Sequence, residues 1–217
     1  LESATYVVQA ASGTLTTVLA GETIYVLAAG AITMEDGSFA QSTDGDIRYE
    51  ASTGEIQLSQ LLAGTGDVAV IASAGSVVDI AGDANDEDIQ SAGLFIEAGG
   101  DIGSGSDAIE TQVTTLSTAS NGSAGTFITE SDTVITDAVA VEVQVIASTA
   151  ETTALSAMQN DLRADNGGAI VLVTLQGPVT LRSQTSAAGN ILVQSQQGGI
   201  LVEESVISSG GDISLLA

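Results

Sequence analysis

"GAIVLVTLQGPVTLRSQTSAAG" occupies residues 168–189, and its glycines Gly168, Gly177 and Gly189 return after nine residues and then after twelve. The stretch holds no Cys, His or Lys, so the regularity is architectural rather than catalytic. After Gly168 the residues two, four and six places on are Ile170, Leu172 and Thr174; after Gly177, Val179 and Leu181 stand two and four places on. Alternation at period two marks a strand with one buried face, whereas a helix would carry its apolar stripe at a period of about 3.6.

Outward from this stretch the spacing persists. Gly189, Gly198 and Gly210 continue at nine and twelve, and Gly45, Gly54, Gly66 and Gly75 repeat nine, twelve, nine. Gly21 and Gly30 keep the nine but reach Gly45 only after fifteen. Each nine-residue half carries the same inward set: Ile47, Tyr49, Ala51; Val68, Val70, Ala72; Ile191, Val193, Ser195. Each twelve-residue half carries a pair: Ile32 and Met34, Ile56 and Leu58, Ile200 and Val202. It also has room for a further short strand, as in "SQLLAG" (59–64) and "EESVISSG" (203–210).

Three short strands per 21 residues, with glycine supplying positive φ at the corners, describe one coil of a right-handed parallel β-helix. Equivalent strands of successive coils would stack about 4.8 Å apart. The expected fold is therefore all-β, a solenoid of 21-residue coils with longer loop insertions in the middle. The leucine-rich repeat is excluded by the absence of its L-x-x-L-x-L-x-x-N signature, and an antiparallel sandwich or barrel is the rival architecture.

The period lapses between Gly75 and Gly168, so coils across about 76–167 are expected to be irregular and loop-rich. In "SVVDIAG" (76–82), Asp79 stands where other copies have Leu, Val or Met, and a one-residue bulge is expected to turn it to solvent. Leu94, Ile96, Phe127, Ile128 and "VAVEVQVIA" (139–147) read as strands, with longer corner loops accounting for the extra residues. "AETTALSAMQNDL" (150–162) reads as a short outer helix or a decorated coil.

Composition narrows the chemistry. Of the 217 residues 28 are acidic, three are arginine (Arg48, Arg163, Arg182) and none is lysine or histidine, for a net charge of −25. Phosphate binding needs a basic face, which excludes nucleic acid, and anionic membrane surfaces fall by the same reasoning. So much negative charge must be spread over a large surface or neutralised by cations. Without Cys there is no disulfide or thiolate site, and without His there is no Ser-His-Asp triad. Without Lys there is no Walker-type phosphate site or Schiff base. The sequence opens on Leu1 with no basic leader and no apolar run approaching about 18 residues, so any targeting or membrane segment is expected to lie outside it.

The acidic insertion "DIAGDANDEDIQ" (79–90) gathers Asp83, Asn85, Asp86, Glu87 and Asp88. Hard oxygen ligands in one loop are what calcium needs, so Asp83, Asn85, Asp86 and Asp88 are the candidate metal ligands, a solvated acidic loop being the alternative. The loop is not an EF-hand, because Asp88 takes the place of the glycine at its sixth position. "GSGSDAIE" (103–110) fits most of one calcium-binding nonapeptide, but no second copy follows to complete a site. Glycoside hydrolysis would need two carboxylates across a groove, and Asp101, Asp107, Glu130 and Asp132 are the candidates. Yet the basic and Trp platforms of a sugar cleft are missing, so no enzyme is expected.

"GGDIGSGSDAIETQVTTLSTASNGSAG" (99–125) and "NGGAIVLVTLQGPVTL…AAGNILVQSQQGGILVEESVISSGGDISLLA" (166–217) resemble the β-strand repeats of filamentous-haemagglutinin-type bacterial surface proteins. The likeness covers residues 45 to 217 and rests on glycines and aliphatics. It implies a secreted, fibrous β-helix acting as an adhesin shaft, located at the cell surface or outside the cell. The expectation is one β-helical segment, residues 1–217, of a longer chain whose last apolar residues, Ile213, Leu215 and Leu216, call for end-to-end continuation with itself. The alternatives are a carbohydrate- or calcium-binding adhesin module, with surface glycans as partners, and a polysaccharide-degrading β-helix.

Overall fold

The computed structural model describes residues 6–80 and 87–217. Every regular element among them is a strand, and the strands stack in parallel into a solenoid of about nine turns of about 22 residues. One regular turn consists of Ile47–Ala51, Ile56–Leu58 and Gln60–Leu62. The next turn lies on it residue for residue, Val68 on Ile47, Val70 on Tyr49 and Val77 on Ile56.

The period-two alternation produces the core directly. Ile47, Tyr49, Ala51, Val68, Val70, Ala72, Ile170, Leu172, Ile191 and Val193 all belong to one continuous buried cluster, and Thr174 and Ser195 continue the inward rows as buried hydroxyls. Ile200 and Val202 sit in register over Val179 and Leu181, but among the described residues no strand pairs with their other side, and Val202 is 44 % exposed. Ile191 is packed between Ile170 and Ile213, whereas Leu192 faces outward and is half-buried. Ile191→Asp is expected to cost several kcal/mol, on the order of burying an unpaired charge. Leu192→Asp should lower the melting temperature far less, and equal losses in paired melts would mean that the register is wrong.

The repeat glycines mark corners, but mostly for a different reason from the one the sequence suggests. Among them only Gly21 and Gly177 take positive φ, at 80° and 81°. Gly45, Gly54, Gly66, Gly75, Gly189, Gly198 and Gly210 are instead forced by the stacking itself. A Cβ on Gly45 would run into the carbonyl of Glu22, one on Gly66 into that of Gly45, and one on Gly75 into that of Gly54. At these corners the backbone of one turn rests on the backbone of its neighbour and leaves no space for a side chain. Gly75→Ala should therefore destabilise by ~1–3 kcal/mol, the usual cost of overpacking. Gly199→Ala, where an added Cβ meets nothing within 4 Å, should be neutral in the same denaturant titration.

The lapse of the period in the middle has a structural cause. In the first half each turn has one long strand, as in Ile24–Ala28, Ile47–Ala51 and Val68–Ala72, followed by two short ones. The long row continues through residues 94–98 of Ile89–Ala98 to residues 115–120 of Ile109–Ser120. Above that point it carries two short strands, Val134–Thr136 on Thr115 and Leu116, and Leu162–Ala164 on Thr118 to Ser120. On the other side, Ile102 and residues 109–111 together carry the single strand Gly125–Glu130. Long and short faces have exchanged places. The nine-plus-twelve repeat resumes beyond the exchange with Ala169–Thr174 on Gly125–Glu130, so the glycine spacing cannot run unbroken through it.

The largest insertion is neither a corner loop nor a helix. Val139–Ile146 pairs antiparallel with Thr152–Gln159 over eight residues, which corrects the reading of residues 150–162 as an outer helix or decorated coil. A helix this short would be marginal in water, whereas the alternating strand beside it offers a ready edge. The hairpin lies on the outside of the first-half long face. Val139, Val141 and Val143 are buried there against Ala69, Ile71 and Phe95. The Glu142 N–H donates to Asp46 Oδ2 at 2.7 Å and the Gln144 N–H to Thr23 Oγ1 at 2.8 Å.

Candidate functional site: buried carboxylates in the solenoid wall

Asp79 is the point at which the inward aliphatic row fails. The strand Val77–Asp79 pairs without interruption with Ile56, Gln57 and Leu58, so there is no bulge and Asp79 lies over Leu58, only 8 % exposed. The expectation that it would face solvent is therefore wrong. Its burial is shared by two other acids that an isolated reading of the strand does not bring in. Asp88, 1 % exposed, stands just before Ile89–Ala98, and half-buried Glu110 lies one turn along in Ile109–Ser120. Oxygens of Asp79, Asp88 and Glu110 all lie within 4.8 Å of one another.

The backbone holds this arrangement. Asp88 Oδ2 accepts the Glu110 N–H at 2.9 Å, and the Asp88 N–H donates to the Glu110 carbonyl at 2.9 Å. The Asp88 carbonyl in turn accepts the Leu61 N–H at 2.7 Å. Burial, with the neighbouring Asp79 carboxyl, raises the Asp88 pKa. Burial and the charge of Asp79 push Glu110 up to about 7. The three arginines are engaged with other acids: Arg48 pairs with Glu50, Arg163 with Asp165, and Arg182 with Asp137 and Glu203. Of the four residues proposed as metal ligands from the sequence, Asp83, Asn85 and Asp86 lie outside the described residues. Asp88 is the one that the structure places, and it turns into the wall. Glu110 was legible only as part of "GSGSDAIE"; its separation of 22 residues from Asp88, one turn, is the signal that joins them.

A second buried acid has a structural setting. Glu130 is fully buried in an inward row between Thr111 and Thr174. It accepts Thr111 Oγ1–H at 2.7 Å, the Val113 N–H at 3.2 Å and the Asp132 N–H at 3.3 Å. Those bonds only partly offset burial, which pushes its pKa up to about 8. Facing the core, Glu130 does not look across a groove. Asp101 is likewise committed, its Oδ1 accepting the N–H groups of Ala124 and Gly125 at 2.9 and 2.8 Å to build a corner. Asp132 instead edges an outer groove of about 400 Å³ whose walls include Gln41, Gln90, Gln112, Ser42 and Ser91. Among the described residues no other three acids converge as Asp79, Asp88 and Glu110 do.

By fold the chain is a parallel β-solenoid whose wall encloses acids. Comparison with known proteins finds no matching family model, no matching curated protein and no matching solved structure.

The raised carboxyls carry a pH signature. Glu130 rises from an ordinary 4.5 to about 8 on folding, so between those values the folded chain holds a proton that the unfolded chain has lost. Stability from this group is complete below about pH 4.5 and is lost as pH climbs through 8, on the order of a few kcal/mol in all. Melting temperature should fall as pH is raised across that window, and Glu130→Gln should flatten its upper part. A wild-type profile that rises with pH would contradict the assignment.

Proposed function

We propose that the chain is a rigid shaft segment of an extracellular bacterial surface or filament-forming protein of the filamentous-haemagglutinin type, working by spacing and adhesion rather than by catalysis. The observation that carries this reading is the continuity of the stack. One hydrophobic core and one parallel ladder run through about nine turns and survive the exchange of long and short faces, which at the usual strand separation is a rod roughly 40 Å long. A rod of stacked turns resists bending because every turn is bonded to the next along its whole perimeter. Self-association end to end would extend it, since open strand edges are templates for pairing. The heavy negative charge suits an exposed, soluble surface and repels neighbouring shafts sideways.

A second reading, a glycan-binding module, has one observation in its favour: the groove where Gln41, Gln90 and Gln112 line up beside Ser42, Ser91 and Asp132. Leu62 stands between Gln41 and Gln90 in that row, so amide and hydroxyl groups flank an apolar spot, a mix of donors, acceptors and apolar surface that a sugar chain can use. Immuno-electron microscopy of source cells separates the readings. Antibody against this chain should decorate rods or filaments outside the cell, and labelling confined to compact cytosolic particles would overturn the shaft. Saturable binding on a glycan array, lost in Gln90→Ala and Gln112→Ala together, would favour the module. Release of reducing ends from a polysaccharide would bring back the enzyme.

A further inference from the structure

The three carboxylates at the wall meet requirements that the shaft reading does not explain. Their oxygens fall within 4.8 Å of one another. A calcium ion at its usual ~2.3–2.6 Å from each oxygen spans that distance. Asp79 and Asp88 are both buried, and at the 1 % exposure of Asp88 an uncompensated negative charge is very costly. The chain has no lysine or histidine, and its three arginines pair with other acids. A second, independent observation concerns Asp88. Its Oδ2 is occupied by the Glu110 N–H, but its Oδ1, equally buried, meets no N–H or hydroxyl donor among the described residues. A carboxylate oxygen held dry beside two other carboxylates is set up for a ligand that supplies positive charge.

We propose that Asp79, Asp88 and Glu110 bind a divalent cation of calcium size, clipping the segment around residue 88 to the turn above. The donors are all hard oxygens, which suits calcium over softer transition metals. The ligand set differs from the loop expected from the sequence: Asp88 is common to both, while Asp83, Asn85 and Asp86 are not required. Because Asp79 and Asp88 share one turn and Glu110 belongs to the next, the ion crosslinks successive turns and adds stability only to the folded stack. The alternative occupant is a proton shared between the Asp79 and Asp88 carboxyls, which would fill the same space without metal. The inference does not depend on the shaft reading, since a site of this kind would serve an adhesin or an enzyme equally.

The test is calorimetric titration of calcium chloride into the chelator-stripped chain near neutral pH, in about 0.15 M sodium chloride to screen loose binding to the acidic surface. One saturable site per chain is expected. Glu110→Gln should weaken it at least tenfold, while the combined change of Asp83, Asn85 and Asp86 to Ala should leave affinity within about threefold. No saturable heat, affinity unchanged in Glu110→Gln, or loss only in the triple variant would each overturn the proposal; the first would leave the proton as occupant. Circular dichroism confirms that the variants fold. Should Glu110→Gln not fold, terbium on the wild-type chain gives the same answer. Emission lifetimes in H₂O and D₂O showing several inner-shell waters displaced support the site, and a fully hydrated ion overturns it.

Discussion

The contact of one turn's backbone with the next is the constraint on which the rest of this structure depends. Parallel strands about 4.8 Å apart set the vertical spacing of every inward side chain, so each residue must tolerate its counterpart directly above and below. Rows such as Ile170, Ile191 and Ile213 satisfy this with like shapes. The same spacing acts at the corners, where Gly45 under Gly66 and Gly54 under Gly75 leave no room for a Cβ. The glycines and the aliphatic alternation are thus two consequences of one geometry. For that reason they recur together in the sequence.

The constraint also decides which polar residues the interior accepts. Thr111, Glu130, Thr174 and Ser195 form an inward row in which hydroxyls and a carboxyl replace aliphatics. Ser195 Oγ donates to the Gly177 carbonyl at 2.9 Å and Thr174 Oγ1 to the same oxygen at 3.1 Å. Tyr49, the bulkiest fully buried side chain, donates to Gln9 Oε1 at 2.9 Å, and Gln9 Nε2 reaches the Phe39 carbonyl at 2.7 Å. The interior is therefore not uniformly oily. Hydroxyl and amide groups tie inward side chains to corner carbonyls and fix the cross-section, as buried polar groups do when their bonds are satisfied.

What could be read from the sequence is what repeats. Ile47, Val68, Ile170 and Ile191 announce their orientation because four copies agree, and "SQLLAG" and "EESVISSG" reveal third strands by position alone. What could not be read arises where copies differ. The exchange of long and short faces at Ile109–Ser120 shows in the sequence only as a lapse of the glycine spacing, which marks where the repeat fails but not what replaces it. Thr152–Gln159 has a strand partner that lies outside the repeat altogether. Asp79 was misjudged for a related reason. Taken singly, an acid among aliphatics argues for a bulge, and only the lateral register brings Asp88 and Glu110 to its side.

The hairpin alters how such a rod would come apart. In a stack where each turn touches only its neighbours, unravelling proceeds from an end one turn at a time, and distant turns are energetically blind to each other. Here Val139–Ile146 is rooted above the exchange of faces yet grips Thr23 and Asp46 far down the first half. Turns 96 and 121 residues away along the chain are thereby made to open together with the hairpin. This side brace turns a zipper into a cooperative block, so tension applied along the axis would be borne by the first half as a unit.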